Sequence, residues 1–284
     1  LIKNFNSYTE NSSNYNEKED YEVFGSLLFK TSFPLRKTNE NSHEYLKPIM
    51  AARYSPNNTK NISDKKMRLG YNNIFSLNRI GTSEIVEGGR SLAIGLEYEK
   101  RNSIDETLYG LNIANSISDK KNHSLPKQSK LDQTRTDIVG NFFYNFNENL
   151  ELSYDFSYDR DLDYSNYNAV SADLSINNFF TSFDYVAEKY DLGNSEFITN
   201  KTTYNFTKEH GLTFNTTKDL KDDFTQFYNL IYLYETDCLS ASFEYNRKFF
   251  KSGNLQPDES LQFLIRFIPF AEIWGSADSY FKNN

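Results

Sequence analysis

The 284-residue chain holds one cysteine, Cys238, and three histidines, His43, His123 and His210. A single thiol closes no disulfide within the chain, and four such residues scattered over it build no Cys/His metal site. Long apolar runs are missing too, the nearest being broken by Arg266, Pro269 and Glu272. No run approaches the roughly 18 residues of a membrane-crossing helix. Nor is there a basic block: 31 Lys+Arg stand against 39 Asp+Glu, a net charge of −8, whereas a nucleic-acid surface needs clustered cations. No helix pattern follows Gly88 and Gly89, so they make no phosphate loop, and no nucleophile-elbow motif accompanies the histidines. The expectation is a protein with no catalytic activity, metal, cofactor or nucleic-acid partner. The chain opens on Leu1 without a basic-then-apolar leader. It reads as a fragment, and its start reports nothing about compartment.

What is present looks contradictory until its spacing is considered. Hydrophobic residues make up 38% and mean hydropathy is −0.70, which leans toward disorder. Yet there are 24 Phe and 21 Tyr, and disordered chains are poor in aromatics. Strands apolar on one face and polar on the other reconcile the two. Leu150, Leu152, Tyr154, Phe156 and Tyr158 alternate with Glu151, Ser153, Asp155, Ser157 and Asp159. Just before them Ile138, Gly140, Phe142, Tyr144 and Phe146 alternate with Val139, Asn141, Phe143 and Asn145, and Asn147 to Asn149 form a tight polar turn between the two runs. Similar runs recur to the end of the chain. They make about 13 strands of roughly 9 to 12 residues, nearly twice the soluble average and suited to tilted membrane crossings.

The connections alternate. Arg101–Asp105, Asn147–Asn149, Asn177–Asn178, Lys208–Gly211 and Glu235–Asp237 are short; Asp119–Thr134, Asp161–Tyr167, Tyr190–Ser195, Lys218–Asp223 and Arg247–Glu259 are longer. An up-and-down meander threaded through a membrane has this pattern, with short turns on the periplasmic side. Tyr98, Phe146, Tyr158, Tyr185, Tyr204, Phe206, Tyr234 and Tyr245 fall at or near strand ends on the apolar side, as in an interfacial girdle.

The expected fold is therefore all-β: an antiparallel up-and-down transmembrane β-barrel in the outer membrane of a Gram-negative bacterium, its apolar face against lipid. Residues 21–268 carry the strands, 1–20 form a weakly patterned segment with at most one degraded strand, 269–284 form a tail, and Ser55 to Gly89 is a long outer loop. Glu97, Glu99, Glu151, Asp155, Asp173 and Asp184 occupy the polar face, as a solvated lumen wall rather than an acid/base dyad. A soluble β-rich adhesin is the rival fold, in which the apolar faces bury one another.

Three stretches resemble one family. Glu44 to Pro56 (EYLKPIMAARYSP), Asn73 to Tyr98 (NIFSLNRIGTSEIVEGGRSLAIGLEY) and Tyr232 to Arg247 (YLYETDCLSASFEYNR) are similar, in this order, to segments of LptD, the lipopolysaccharide-assembly proteins of the outer membrane. The resemblance implies the C-terminal half of a very large barrel, which as a piece forms a curved open sheet or half-barrel. It implies a translocon that inserts lipopolysaccharide into the outer leaflet, with an LptE-like plug lipoprotein in the barrel and periplasmic Lpt bridge proteins reached through a domain before Leu1. The last strand, Glu259 to Ile268, then forms one side of a lateral gate through Leu261, Phe263, Ile265 and Phe267. Pro269 beyond it either weakens that seam or simply ends the strand. Cys238 matches one of two adjacent family cysteines bonded to the N-terminal domain. Leu239 stands where the second would be, so one bridge is absent. A porin-like passive channel needs the same barrel without gate or bridge.

Overall fold

The computed structural model describes residues 2–9, 18–81, 85–190, 193–250, 257–267 and 271–276. They form strands β1 (Ile2–Thr9), β2 (Lys18–Gly25), β3 (Leu27–Ser32), β4 (Leu35–Asn39), β5 (Ser42–Ser55), β6 (Gly89–Asn102), β7 (Thr107–Ser118), β8 (Ile138–Asn147) and β9 (Leu150–Tyr158). β10 (Ser165–Ile176), β11 (Phe179–Tyr190), β12 (Gly193–Asn205), β13 (His210–Asp219), β14 (Phe224–Glu235), β15 (Leu239–Lys248), β16 (Asp258–Phe267) and β17 (Ala271–Ser276) follow. One short helix, α1 (Tyr71–Ile74), lies between β5 and β6. Among the described residues no helix is long and apolar enough to cross a membrane.

The fold is all-β, an antiparallel up-and-down meander. Strands β5 to β17 neighbour one another in chain order, and β3 and β4 both pair with β5. They act as one strand interrupted at Phe33 and Pro34, opposite Lys47 and Pro48. Neither proline has an N–H for the ladder, and continuity rests there on Phe33 N donating to Pro48 O at 3.0 Å. Among the described residues no pairing joins β17 to β3.

The sheet has 15 strands, or 14 with β3 and β4 taken as one, close to the expected number of about 13. Three expectations need correction. The segment 1–20 is not one degraded strand: β1 pairs with β2 over Ile2↔Gly25 to Thr9↔Lys18 as a separate two-stranded sheet. The tail 269–284 contains β17, which pairs with β16 from Phe267↔Ala271 to Gln262↔Ser276, so Glu259 to Ile268 is not the terminal strand. The strict alternation of connections fails in the middle: β11 and β12 extend to Tyr190 and Gly193, and the turns 206–209 and 220–223 are equally short. Polar residues such as Asn194 and Ser195 join the ladder against Lys189 and Glu188, because ladder pairing is a backbone interaction open to any residue but proline.

The chain divides into two compact units, 1–142 with 155–166, and 143–154 with 167–284. In the second, register sorts most side chains by polarity. Val170 faces Tyr185, Ala172 faces Phe183, Leu230 faces Tyr245, Tyr232 faces Phe243, and Phe243 faces Phe263, all on one side. Asp173 with Ser182, Ser171 with Asp184, Asn215 with Asn229, and Glu244 with Gln262 occupy the other. The first unit holds the hydrophobic core, and it lies between sheet and loops rather than between two sheets.

Candidate functional site

On β5, β6 and β7 one face carries Ser55, Ala51, Ser91, Ala93, Gly95, Ala114 and Ser116, in cross-strand register. These are small side chains, and they leave room for a second layer. The connections 56–88 and 119–137 fill it. Ile62, Leu69, Ile74, Phe75, Ile80 and Ile85 from the first, with Leu125 and Leu131 from the second, pack against Ile49, Ala51, Ala93, Ala114 and Val139 of the strands. The expected outer loop is thus a folded layer with its own apolar core. Gly95 is required by this contact: a Cβ there would lie 2.5 Å from Phe75 Cζ and 2.8 Å from the Ile113 carbonyl oxygen. The two connections also bind each other, with Ile62 N donating to Ser124 O at 2.8 Å and Asn122 Nδ2 to Thr59 Oγ1 at 2.9 Å.

Beneath the layer lies a buried ionic cluster. Arg79 donates through Nε to Glu87 Oε2 at 2.9 Å and through Nη2 to Glu87 Oε1, their side chains 2% and 3% exposed. Its remaining donors reach Ser116 Oγ at 2.6 Å and Ser91 Oγ at 3.0 Å. Arg53 from β5 donates to the Glu87 carbonyl oxygen at 2.5 Å and places Nη2 2.6 Å from Glu87 Oε1, off the hydrogen-bond direction. Charges this deeply buried persist only when paired and hydrogen-bonded. The cluster fixes the connection to the sheet, with the forked guanidinium geometry setting its register.

A second polar group sits where the other connection meets β8. Asp137 accepts from Asn166 Nδ2 at 2.7 Å and Ser157 Oγ at 2.9 Å. Burial pushes its carboxyl above the ordinary value, further than the two hydrogen bonds and Lys130 lower it.

The expected polar-face residues divide into separate settings. Glu97 lies beneath the layer, accepting from Tyr71 Oη at 2.9 Å and Lys47 Nζ at 2.8 Å; burial pushes the Tyr71 hydroxyl up and Glu97 adds to it. Glu99 is held by Arg101 at 2.7 Å. Glu151 and Asp155 sit in step on β9, both exposed. Asp184 accepts from Ser171 Oγ at 2.6 Å, and Asp173 faces Ser182 across the strand pair. Leu261, Phe263, Ile265 and Phe267 share the apolar face of β16, paired with β15 along its whole length and flanked by β17. Among the described residues β17 pairs only with Gln262 to Phe267, so an edge position is overturned for Phe263, Ile265 and Phe267. Pro269 lies outside the described residues. Cys238 is exposed in the turn between β14 and β15, where Thr236 N donates to Leu239 O at 2.7 Å; a buried thiol is excluded. Among the described residues no group of three His, Cys, Asp or Glu could hold a metal.

Arg53, Arg79, Glu87 and Asp137 were not singled out from the sequence. A signal existed for three of them, since Arg79 and Glu87 fall in the stretch Asn73 to Tyr98 and Arg53 in Glu44 to Pro56.

No family model and no curated protein matches the chain. Among solved structures, a mutant of the Rh. blastica porin aligns with TM-score 0.40 and 8% identity over 97% of this chain and 93% of its own. A structure described as "Asymmetric conductivity of engineered proteins" aligns with TM-score 0.40 and 9% identity, over 97% and 93%.

Proposed function

We propose that the chain is the membrane-embedded wall of an outer-membrane β-barrel and that it serves lipopolysaccharide assembly in the outer leaflet. The observation that carries the membrane reading is the apolar face of the second unit. Val170, Phe183, Ile198, Leu230, Tyr232, Phe243 and Phe263 are all exposed on one side of consecutive strands, and so large an apolar surface requires a non-aqueous partner. Polar side chains predominate on the opposite face, the inverse of a soluble sandwich, whose facing apolar surfaces exclude water.

Two observations favour transport assembly over a passive channel. The covering layer packs over one face of β5 to β8, a face that an open diffusion pore leaves to water. The segments 44–56 and 73–98, far apart in sequence and both resembling the LptD family, meet in the Arg53–Glu87–Arg79 cluster. On this reading lipopolysaccharide is the cargo, a plug lipoprotein and periplasmic bridge proteins are the partners, and exposed Cys238 bonds to a domain elsewhere in the protein. The lateral opening is assigned to no residue of β16.

Depletion of the full-length gene product is the test, with surface lipopolysaccharide and uptake of a small antibiotic followed together. A fall in surface lipopolysaccharide with a rise in uptake supports the proposal. Unchanged lipopolysaccharide with reduced uptake of small solutes identifies a passive channel instead.

A further inference from the structure

The outward face of the first unit is not uniform. Across β3, β5, β6 and β7 the register brings Phe29, Ala52, Leu92 and Ile117 into one cross-strand row, and Leu27, Tyr54 and Arg90 into the next. Ala52 is the small member of its row, and above it opens a groove of 890 Å³ lined by these residues and bounded by Asp119. Leu27, Phe29, Tyr54 and Ile117 are exposed along it. The groove is apolar along one row and cationic at the end of the other. Arg90 holds its guanidinium 5.5 Å from the centre of the Tyr54 ring, while Asp119 Oδ1 accepts from the Arg90 backbone N–H at 3.4 Å.

We propose that this groove is a binding site for one membrane lipid with an anionic headgroup, its acyl chain along the Phe29–Ala52–Leu92–Ile117 row and its phosphate paired with Arg90. The inference rests on the reading that the apolar face meets lipid, and it adds a particular lipid class at a particular place. Shape and charge both select the occupant. A row of large side chains interrupted by Ala52 makes a channel for a hydrocarbon chain, and a cation at its end favours a negative headgroup over a zwitterionic one. The ring beneath Arg90 orients the guanidinium without neutralising it. The Asp119 carboxylate limits the pull on a phosphate, so the selectivity expected is that of a single cation, about fivefold in affinity.

The protein carrying Ile117→Trp in a Trp274→Phe background is reconstituted in vesicles doped with either dibrominated phosphatidylglycerol or dibrominated phosphatidylcholine, and fluorescence quenching is titrated. Leu27→Trp serves as a second reporter where the first does not fold. About fivefold stronger apparent binding of the anionic lipid, abolished by Arg90→Gln while quenching itself persists, supports the site. Equal quenching by the two lipids overturns it and leaves the membrane reading standing. Absence of quenching by both overturns the site and the membrane reading together.

Discussion

Arg79 and Glu87 meet in a two-pronged ion pair underneath the very connection that carries them, eight residues apart in sequence and both nearly inaccessible. Glu87 is also the carboxylate beside Arg53. Its removal leaves two guanidiniums buried without their counter-charge, a change that costs about 3–5 kcal/mol. Glu87→Ala is expected to lower the unfolding free energy by that amount in detergent, with proteolysis appearing first within residues 56–88. Glu97→Ala, whose partners Lys47 and Tyr71 are partly exposed, should cost much less, because solvent takes over their pairing. Equal losses in the two variants would show that the buried cluster has no special role.

Gly95 and Phe75 provide an independent probe of the layer. A methyl group at residue 95 meets the Phe75 ring, which can move, and the Ile113 carbonyl, which cannot. Gly95→Ala should destabilise by about 1–3 kcal/mol and raise hydrogen exchange in residues 71–80 while exchange in β14 and β15 is unchanged. Unaltered exchange in the layer would mean that Phe75 is not held by this contact.

The strand faces were legible in the sequence because period two is imposed by the pleat and not by neighbours: Tyr232, Phe243 and Phe263 alternate in the chain as they do in space. The covering layer was not. Residues 56–88 have no period, since Ile62, Leu69, Ile74 and Ile80 pack through irregular backbone. The trace of the layer lay instead on the strands beneath, where Ala51, Ala93, Gly95 and Ala114 replace the polar residues that fill the equivalent face elsewhere. Connection lengths misled in the middle of the chain, where Asn, Ser and Gly read as loop but pair as strand. The strand β17 was hidden for a related reason: six residues are too few for periodicity to separate them from a tail.

Asp137 makes the fold sensitive to pH. Its carboxyl is held above the ordinary 3.8, burial being the main cause. The folded state therefore binds this proton more readily than the unfolded chain. That contribution is present in full below the unfolded pKa and is lost as pH rises through the folded value. Relative to Asp137→Asn, the protein should lose stability as pH rises from 3.8, as measured by denaturant titration at a series of pH values. A difference between the two proteins that does not change with pH would assign Asp137 a purely hydrogen-bonding role toward Ser157 and Asn166.

Phe243 and Ser242 are adjacent on β15 and face opposite sides, Phe243 against Tyr232 and Phe263, Ser242 against Leu233 and Leu264. Phe243 is 50% exposed and Phe263 40%, so neither ring is covered by protein. If lipid covers them, Phe243→Arg introduces a cation into hydrocarbon and should cost about 2–4 kcal/mol near the midplane. The amount of folded protein recovered from the membrane fraction should fall accordingly. Ser242→Arg, one residue along and on the polar side, should change stability by no more than about 0.5 kcal/mol, because its charge stays hydrated. Comparing the two removes any general effect of a bulky cation on β-propensity, since the strand and the introduced side chain are the same. Equal tolerance of both substitutions would mean that the Phe243 side meets water, and the reading of this face as a lipid surface would fall with it.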